Sequence, residues 1–374
     1  MVKMQRNQRS VLGKIVVALL TLLALVGLAA MTMSVISCFI SPKRFVWASF
    51  FGLAFWEIFF YNCFVLLLLV LMWSKKAWIS VIALLIAIPG LSKSYSFGNR
   101  VEEDDAIRVM SYNVHNFDYV GKEGTMVDFI NEVLVEVGEQ SPDVLCFQEF
   151  TRSFKKGLAR NQSIELFAQA SGFPYVYYNT KRNFGGNVIY SRFPLQKVSE
   201  DTGFGKENTY GVMVSVDAGE KGKFYVANVH LLSYSITDEE IGSLPEVMSE
   251  ELDTVRKTIV KKLQTAFVHR SDEIKEVIEG MPEVDAPIIV CGDFNDVPLS
   301  YVYRQMCKAG FHDSFVKAGH GIQPSYGGKL PLLRIDYIWG NGYVKPLKFN
   351  CIKKKLSDHY PVILDFKIEQ NNEN

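Results

Sequence analysis

The distribution of apolar residues divides the chain into two parts with different patterns. The first part contains three long apolar runs, at residues 15–40, 46–73 and 77–91. The first two are longer than the about 20 residues that a helix needs to cross the hydrocarbon core of a bilayer. The third is shorter and ends at Pro89-Gly90, which is compatible with a short span or a re-entrant helix. We expect residues 1–92 to form a transmembrane region of about three helices, at these three runs.

Basic residues beside the runs predict the orientation of this region. Four lie in the N-terminal tail, and Lys75 and Lys76 separate the second run from the third. Four more, at positions 43, 44, 93 and 100, lie on the opposite side. Because cytoplasmic loops are enriched in Lys and Arg, this bias places the N-terminus in the cytoplasm. Three spans then make a multi-pass membrane protein with residues after Ser92 outside the cytoplasm, in the periplasm of a Gram-negative cell. A cleaved signal peptide is the alternative for the first run.

After a linker at residues 93–105, short apolar strands alternate with amphipathic helices. Apolar residues from Met126 to Val137 recur at the spacing of one helix face, and residues 239–280 are largely helical with a break near Pro245. Strands are expected at residues 107–112, 143–147, 187–190, 211–216, 224–229, 287–291, 335–339 and 361–366. This mixture predicts an α/β domain over residues 106–368, with sheets packed face to face and helices outside. A polar tail follows at residues 369–374.

Charge is distributed unevenly, although 40 basic and 40 acidic residues balance over the 374-residue chain. Residues 1–100 hold ten basic residues and one acidic residue, Glu57, which leaves 30 basic and 39 acidic residues for the rest. The acidic C-terminal part argues against a protein that coats nucleic acid, since such proteins need a cationic surface. The six cysteines show no Cys-x-x-Cys or Cys/His zinc spacing, which argues against metal binding by thiolates.

Six polar clusters follow apolar strands in the C-terminal part. They are residues 111–115, 148–149, 228–230, 292–296, 334–337 and 357–361. Polar residues at strand ends and in the loops beyond them meet at one rim of a sheet, where active sites are commonly built. The clusters contain carboxylates, amides and imidazoles, and no Ser or Cys nucleophile recurs. Such oxygen ligands favour Mg²⁺ or Mn²⁺ over zinc, and together with histidines they suit hydrolysis of a phosphate ester.

The six clusters, in this order, resemble the endonuclease/exonuclease/phosphatase superfamily over roughly Ile107–Ile368. The strongest matches are Val-Cys-Gly-Asp-Phe-Asn at residues 290–295 and Leu-Ser-Asp-His-Tyr-Pro-Val at residues 356–362. The resemblance implies a four-layered α/β sandwich, with two packed mixed sheets, outer helices and a site at one end of the sheets. It says little about substrate, since the superfamily includes deoxyribonucleases, apurinic endonucleases, neutral sphingomyelinases and inositol polyphosphate 5-phosphatases.

The resemblance also implies a metal site. Glu149, helped by Asn113, would hold a divalent cation, Mg²⁺ or Mn²⁺. Asp358 would lie close enough to contribute a further carboxylate.

For catalysis, the resemblance assigns roles to five further residues. Asp293 would orient or deprotonate the attacking water, and Asn295 would hydrogen-bond the phosphate. His359 would contact the scissile phosphate, while Asp336 would fix the tautomer of that imidazole. His230 would contact the phosphate or serve as an acid.

Three departures from family patterns narrow the choice of branch. Apurinic endonucleases carry an amide where this chain has His230. Residues 334–338 lack the Cys-Asp-Arg segment of inositol 5-phosphatases, and no arginine near Tyr210-Gly211 matches the phosphate-supporting arginine of deoxyribonucleases. His115 is expected to have no special role. The lysines at 155–156 and 353–355 suit attraction of an anionic substrate, with a solvated loop as the alternative.

These observations predict a membrane-anchored, divalent-metal-dependent phosphoesterase. We expect a phosphodiesterase whose substrate is a nucleic acid or a phospholipid headgroup, because the same fold hosts both chemistries. The bilayer is the second expected partner. One alternative is a non-catalytic, membrane-anchored binding module that uses the same fold. Another is a transport or sensing unit, but the apolar runs contain few polar residues.

Overall fold

The computed structural model describes residues 11–98, 101–118, 123–154, 158–179, 186–198, 203–204, 210–234, 250–328 and 332–369. The chain divides into two units. Residues 1–92 with 299–301 form the N-terminal unit, and residues 93–298 with 302–374 form the C-terminal unit.

Apolar helices make up the N-terminal unit. They are α1 (Val11–Ser37), α2 (Trp47–Leu53), α3 (Phe55–Leu71), α4 (Trp78–Ile86) and α5 (Ile88–Ser94), which continues into the next unit. Among the described residues, one helix is long and apolar enough to cross a membrane by itself. This is α1, with 27 residues.

The expectation of three continuous spanning helices is therefore wrong. The second run is broken into α2 and α3, which bend by 67°, and the third is bent by 43° between Ile86 and Ile88. Ala54 leaves helical geometry, with φ −87° and ψ 23°, where the second run breaks. Helical structure in the third run continues past Pro89-Gly90, up to Ser94. Pro89 lies in the first turn of α5, where its missing N–H costs no helical hydrogen bond. Counting each bent pair as one span gives up to three spans.

The C-terminal unit is built on two mixed sheets. Its strands are β1 (Ser96–Phe97), β2 (Ile107–Asn113), β3 (Val144–Gln148), β4 (Tyr175–Tyr178), β5 (Val188–Ser191), β6 (Leu195–Lys197), β7 (Gly203–Phe204), β8 (Gly211–Asp217), β9 (Lys223–His230), β10 (Ile288–Asp293), β11 (His312–Asp313), β12 (His320–Gly321), β13 (Asp336–Gly340), β14 (Val344–Cys351) and β15 (Val362–Ile368). The first sheet has the order β14-β15-β2-β3-β5-β4, and the second β11-β13-β10-β9-β8-β6, with β7 beside β8. β1 pairs with β12 in a separate two-stranded ribbon.

Helices cover the outer faces of the two sheets. They are α6 (Met126–Gln140), α7 (Arg160–Ser171), α8 (Glu250–Glu279) and α9 (Tyr301–Lys308). The short helix α10 (Ser314–Ala318) instead contacts β14 of the first sheet and β13 of the second. One core cluster contains Phe129 of α6 and Phe167 of α7 together with the facing strands of both sheets. A second cluster joins Ile274 of α8 and Met306 of α9 to the other face of the second sheet. The predicted arrangement of two packed mixed sheets with outer helices is confirmed.

Most strands lie where the apolar pattern predicts them, but some elements were missed. α6 begins with a capping box between Thr125 and Asp128, as its amphipathic pattern requires. The helical stretch predicted at 239–280 is found at Glu250–Glu279, and its predicted break near Pro245 lies outside the described residues. β14 was missed because Pro346 and two lysines interrupt its apolar pattern, and the pairing with β15 is shifted between Pro346 and Lys348.

Candidate active site

Strand register brings the polar clusters to one rim. In the first sheet, β2 and β3 run parallel and end with Asn113 opposite Gln148. In the second sheet, β9 and β10 run parallel and end with His230 opposite Asp293. The antiparallel strand β13 begins at that end, with Asp336 opposite Asp293. Clusters that are far apart in the sequence thus meet at the same end of the two sheets.

Asn113 is fully buried and connects the two sheets at this rim. Its Nδ2 donates hydrogen bonds to Glu149 Oε1 and to Asp293 Oδ2, both at 3.0 Å. Its Oδ1 accepts the backbone N–H of His115 at 3.0 Å. Glu149 follows β3 of the first sheet and Asp293 ends β10 of the second, so one amide holds two carboxylates from opposite sheets. In this orientation Asn113 supports a metal ligand, and direct coordination through its oxygen would require the amide to turn over.

A second pair of amides strengthens the same connection. Gln148 Nε2 donates to Asn228 Oδ1 at 2.7 Å. Asn228 Nδ2 in turn donates to the carbonyls of Phe147 at 2.8 Å and Val188 at 3.0 Å. All of these groups are buried, so the network fixes the position of Glu149 and His230, which follow Gln148 and Asn228 closely in the sequence.

The backbone conformation of Glu149 is left-handed, with φ 59°. The chain at Gly186 lies against it, and a Cβ at Gly186 would stand 2.8 Å from Glu149 Cα. Phe150 N–H donates to the Gly186 carbonyl at 3.0 Å. A glycine is needed here both for this close approach and for its own φ of 78°. The strained turn directs the Glu149 carboxylate to the rim, where a fifth of the side chain stays exposed.

Asp336 and His359 form a hydrogen-bonded dyad. His359 Nδ1 lies 2.8 Å from Asp336 Oδ2, and both residues are buried. The other ring nitrogen, Nε2, lies 3.5 Å from Asp293 Oδ2. Burial disfavours the charged form of His359, but the carboxylates of Asp336 and Asp293 outweigh it and raise the pKa of His359 well above its ordinary value. The dyad therefore keeps a proton and presents Nε2 to the rim.

His230 faces two carboxylates from the opposite side. Its Nε2 lies 3.6 Å from Glu149 Oε1 and 3.8 Å from Asp293 Oδ2. This nitrogen is buried and has no hydrogen-bond partner among the described residues. A buried polar atom without a partner is costly, which indicates that a bound group completes the site.

Asn295 and Asp293 are held by the sharp turn after β10. Asn295 is left-handed, with φ 51°, and its backbone N–H donates to Asp293 Oδ1 at 2.8 Å. Asn295 Nδ2 donates to the Leu231 carbonyl at 3.0 Å, so its side-chain amide binds the loop after β9. Gly292 has φ 139°, and a Cβ there would stand 1.8 Å from the Val229 carbonyl oxygen. Only glycine lets β10 approach β9 this closely just before Asp293.

Asp358 and His115 complete the exposed side of the rim. His115 Nδ1 lies 3.3 Å from Asp358 Oδ1 and 3.8 Å from Glu149 Oε2. The sequence analysis expected no role for His115, yet the structure places it between the two candidate metal carboxylates. Its position follows from a left-handed backbone at residues 115–117, which the sequence pattern does not reveal.

The residues present fit a divalent cation. The Asn113 amide holds the carboxylates of Glu149 and Asp293 together, and His115 lies between those of Glu149 and Asp358. Such oxygen ligands suit Mg²⁺ or Mn²⁺. Asp293, Asp336 and His359 also offer ligand atoms within 4.8 Å of one another. We favour the Glu149 and Asp358 side, because the 2.8 Å hydrogen bond in the dyad already occupies one atom of each partner.

Two residues of the loop before β13 escaped the sequence analysis. Ser325 Oγ accepts the backbone N–H groups of Ile335 at 3.0 Å and Asp336 at 2.9 Å. The ring of Tyr326 packs edge-on against His359, with ring centres 5.5 Å apart. No periodicity or motif marks these positions, since they belong to an irregular loop that is fixed only by tertiary contacts.

The lysines proposed to attract an anion are largely engaged elsewhere. Lys353 Nζ bonds to the Pro324 carbonyl and lies over the Tyr360 ring, and Lys354 Nζ pairs with Glu136 at 3.1 Å. Residues 155–156 lie outside the described residues.

Comparison with known families identifies the class of protein that this fold and site define. Residues 110–359 match the model of the endonuclease/exonuclease/phosphatase family, and the chain belongs to this family. Members of the family are phosphoesterase hydrolases and generally use a divalent metal. A model for a domain of unknown function matches residues 13–94.

Several solved structures are similar to this chain. An endonuclease/exonuclease/phosphatase from Beutenbergia cavernae is 18% identical, with 70% of this chain and 72% of that chain covered and a TM-score of 0.49. The catalytic domain of human Nocturnin is 19% identical, with coverage of 72% and 97% and a TM-score of 0.49. A mannosyl-6-phosphatase from Bacteroides thetaiotaomicron is 15% identical, with coverage of 70% and 99% and a TM-score of 0.45. A search among curated proteins gives no match.

The geometry of the dyad predicts that its two members act as a unit. His359→Ala should lower kcat by roughly 10²- to 10⁴-fold, and Asp336→Asn should also lower it, because the imidazole loses its fixed tautomer. The double variant should be scarcely slower than His359→Ala alone, since Asp336 acts through His359. Steady-state rates of the three variants test this. Losses that multiply in full would mean that Asp336 acts independently, for example as a metal ligand.

Proposed function

We propose that the protein is a membrane-anchored, divalent-metal-dependent phosphodiesterase. The observation that supports this most is the convergence of Glu149, Asp293 and the Asp336–His359 dyad, with His230 opposite, at one partly open rim. A non-catalytic binding module would have no need for a buried carboxylate–imidazole pair beside a second buried carboxylate, Asp293. Maintaining such a cluster costs free energy unless a ligand or reaction uses it.

Glu149 and Asp358 would hold the cation, with the Asn113 amide fixing the Glu149 carboxylate. When bound, the cation would neutralise charge on the phosphate and so favour attack by water. Asp293 accepts a proton from the attacking water as the new P–O bond forms. His359 Nε2–H donates to a phosphate oxygen, with Asp336 holding the other ring nitrogen. As the bond to the leaving alcohol breaks, His230 gives that oxygen a proton.

The substrate we propose is a phosphodiester of a phospholipid headgroup, with nucleic acid as the second candidate. The apolar helix α1 supports the lipid, because an anchored site stays close to a bilayer. The acidic balance of residues 101–374 weakens the case for a long polyanion. Assays of the full chain against sphingomyelin, glycerophospholipids, DNA, RNA and inositol phosphates, with Mg²⁺ and with chelator, separate these classes.

Glu149→Gln should reduce metal affinity and activity together while the protein stays folded. The half-saturating Mg²⁺ concentration should rise by at least about 10-fold, because the variant loses a charged oxygen ligand. Glu279→Gln, on the exposed end of α8, is the matched control and should behave as wild type. An unaltered Mg²⁺ dependence in Glu149→Gln would refute the metal assignment.

We further propose that the C-terminal unit lies outside the cytoplasm. The basic tail before α1 favours a cytoplasmic N-terminus. Either one span or three spans then place the C-terminal unit on the other side of the membrane. Protease added to intact cells, after permeabilisation of any outer membrane, should digest the C-terminal unit. Full protection, under conditions that digest a known external protein, would reverse the orientation.

A further inference from the structure

The two-stranded ribbon of β1 and β12 exposes one aromatic side chain, and β1 begins two residues after the end of α5 in the chain. Phe97 is 83% exposed, and its ring contacts that of Tyr95, with ring centres 4.6 Å apart. β12 pairs antiparallel with β1, with Ser96 opposite Gly321. Continued by one residue on each strand, this register would place Ile322, which is 42% exposed, opposite Tyr95. We call Tyr95, Phe97 and Ile322 the apolar ribbon; Phe97 and Ile322 are exposed, and Tyr95 is half-buried.

This exposure is fixed by the fold and is not the fraying of a loose segment. Strand alternation turns Ser96 inward, where its Oγ donates to the Val316 carbonyl at 3.1 Å. Gly98 also packs inward, since a Cβ there would stand 2.7 Å from the carbonyls of Lys317 and Gly319. With Ser96 and Gly98 held against α10, Phe97 must point outward.

The position of the apolar ribbon along the chain, close after the apolar helices, indicates that a bilayer surface covers it. Phe97 follows the end of α5 by three residues, which span at most about 11 Å. The outer surface of the preceding helices is apolar, with Leu85 58% and Ile88 53% exposed. The interfacial layer of a bilayer is roughly 5 to 8 Å thick on each side, and aromatic residues concentrate there. Lys317, exposed and adjacent to Gly98, supplies a cation for anionic headgroups.

We propose that the apolar ribbon of Tyr95, Phe97 and Ile322 inserts into the interfacial layer of the bilayer and docks the C-terminal unit on the membrane surface. This rests on the proposed membrane anchoring and is independent of the chemistry at the rim. Tyr326, whose ring packs on His359, follows Ile322 by four positions in the chain. The chain between them spans at most about 14 Å, so docking would bring the rim near the headgroups.

The test is depth-dependent quenching in the full chain. A fluorescent amino acid excited at longer wavelengths than tryptophan replaces Phe97, and in a separate protein Leu166, which is 47% exposed on α7. Each protein is reconstituted into vesicles of phosphatidylethanolamine and phosphatidylglycerol, with and without lipids brominated near the top of the acyl chain. We expect at least about twofold quenching at position 97, since interfacial groups sit within 5–10 Å of that level, and no quenching at position 166.

Absence of quenching at position 97, or equal quenching at both positions, would overturn the proposal. Hydrolysis of the soluble diester bis(p-nitrophenyl) phosphate is measured on the same two proteins. Because that assay does not need docking, a failure of the docking proposal and a failure of the proposed activity give different results.

Discussion

The hydrogen bonds of Asn113 are the interaction on which the candidate site depends. A single buried amide donates to Glu149 from the first sheet and to Asp293 from the second, both at 3.0 Å. Two carboxylates brought together in a buried environment repel each other, and an amide that donates to both offsets this repulsion. The amide thereby fixes the distance between the proposed metal ligand and the proposed water-activating group. Gln148 and Asn228 repeat the same connection one layer deeper.

The rest of the structure positions this contact. Parallel pairing of β2 with β3 and of β9 with β10 makes the strands that carry the candidate site end at one rim. Glycine at 292 lets β10 approach β9, and glycine at 186 lets the chain cross the strained turn at Glu149. The dyad is added from β13 and the loop before β15, with Ser325 and Ser357 holding its backbone. Buried polar groups therefore hold the residues of the candidate site in place.

Sequence patterns were sufficient for the two-sheet architecture and for the grouping of the rim residues, because both depend on local periodicity and on where strands end. They failed where tertiary contacts determine the secondary structure or the position of a side chain. β14 contains Pro346 and two lysines, Lys345 and Lys348, so its pattern resembles a loop, while pairing with β15 makes it a strand. His115, Ser325 and Tyr326 enter the site through left-handed or irregular backbone that no period marks. The apolar runs could not show the 67° and 43° bends, since bending leaves composition unchanged.

The most direct measurement is the affinity of the full chain for Mn²⁺, followed by the paramagnetic resonance of the free ion, in Asn113→Ala and Asn295→Ala. Both variants remove a buried amide at the rim, but only Asn113 contacts Glu149; Asn295 donates to the Leu231 carbonyl instead. Asn113→Ala should weaken Mn²⁺ binding by roughly 10- to 100-fold, as loss of a group that orients a ligand does, and Asn295→Ala should leave it within about twofold of wild type. Equal affinities in Asn113→Ala and wild type, or equal losses in both variants, would contradict the account.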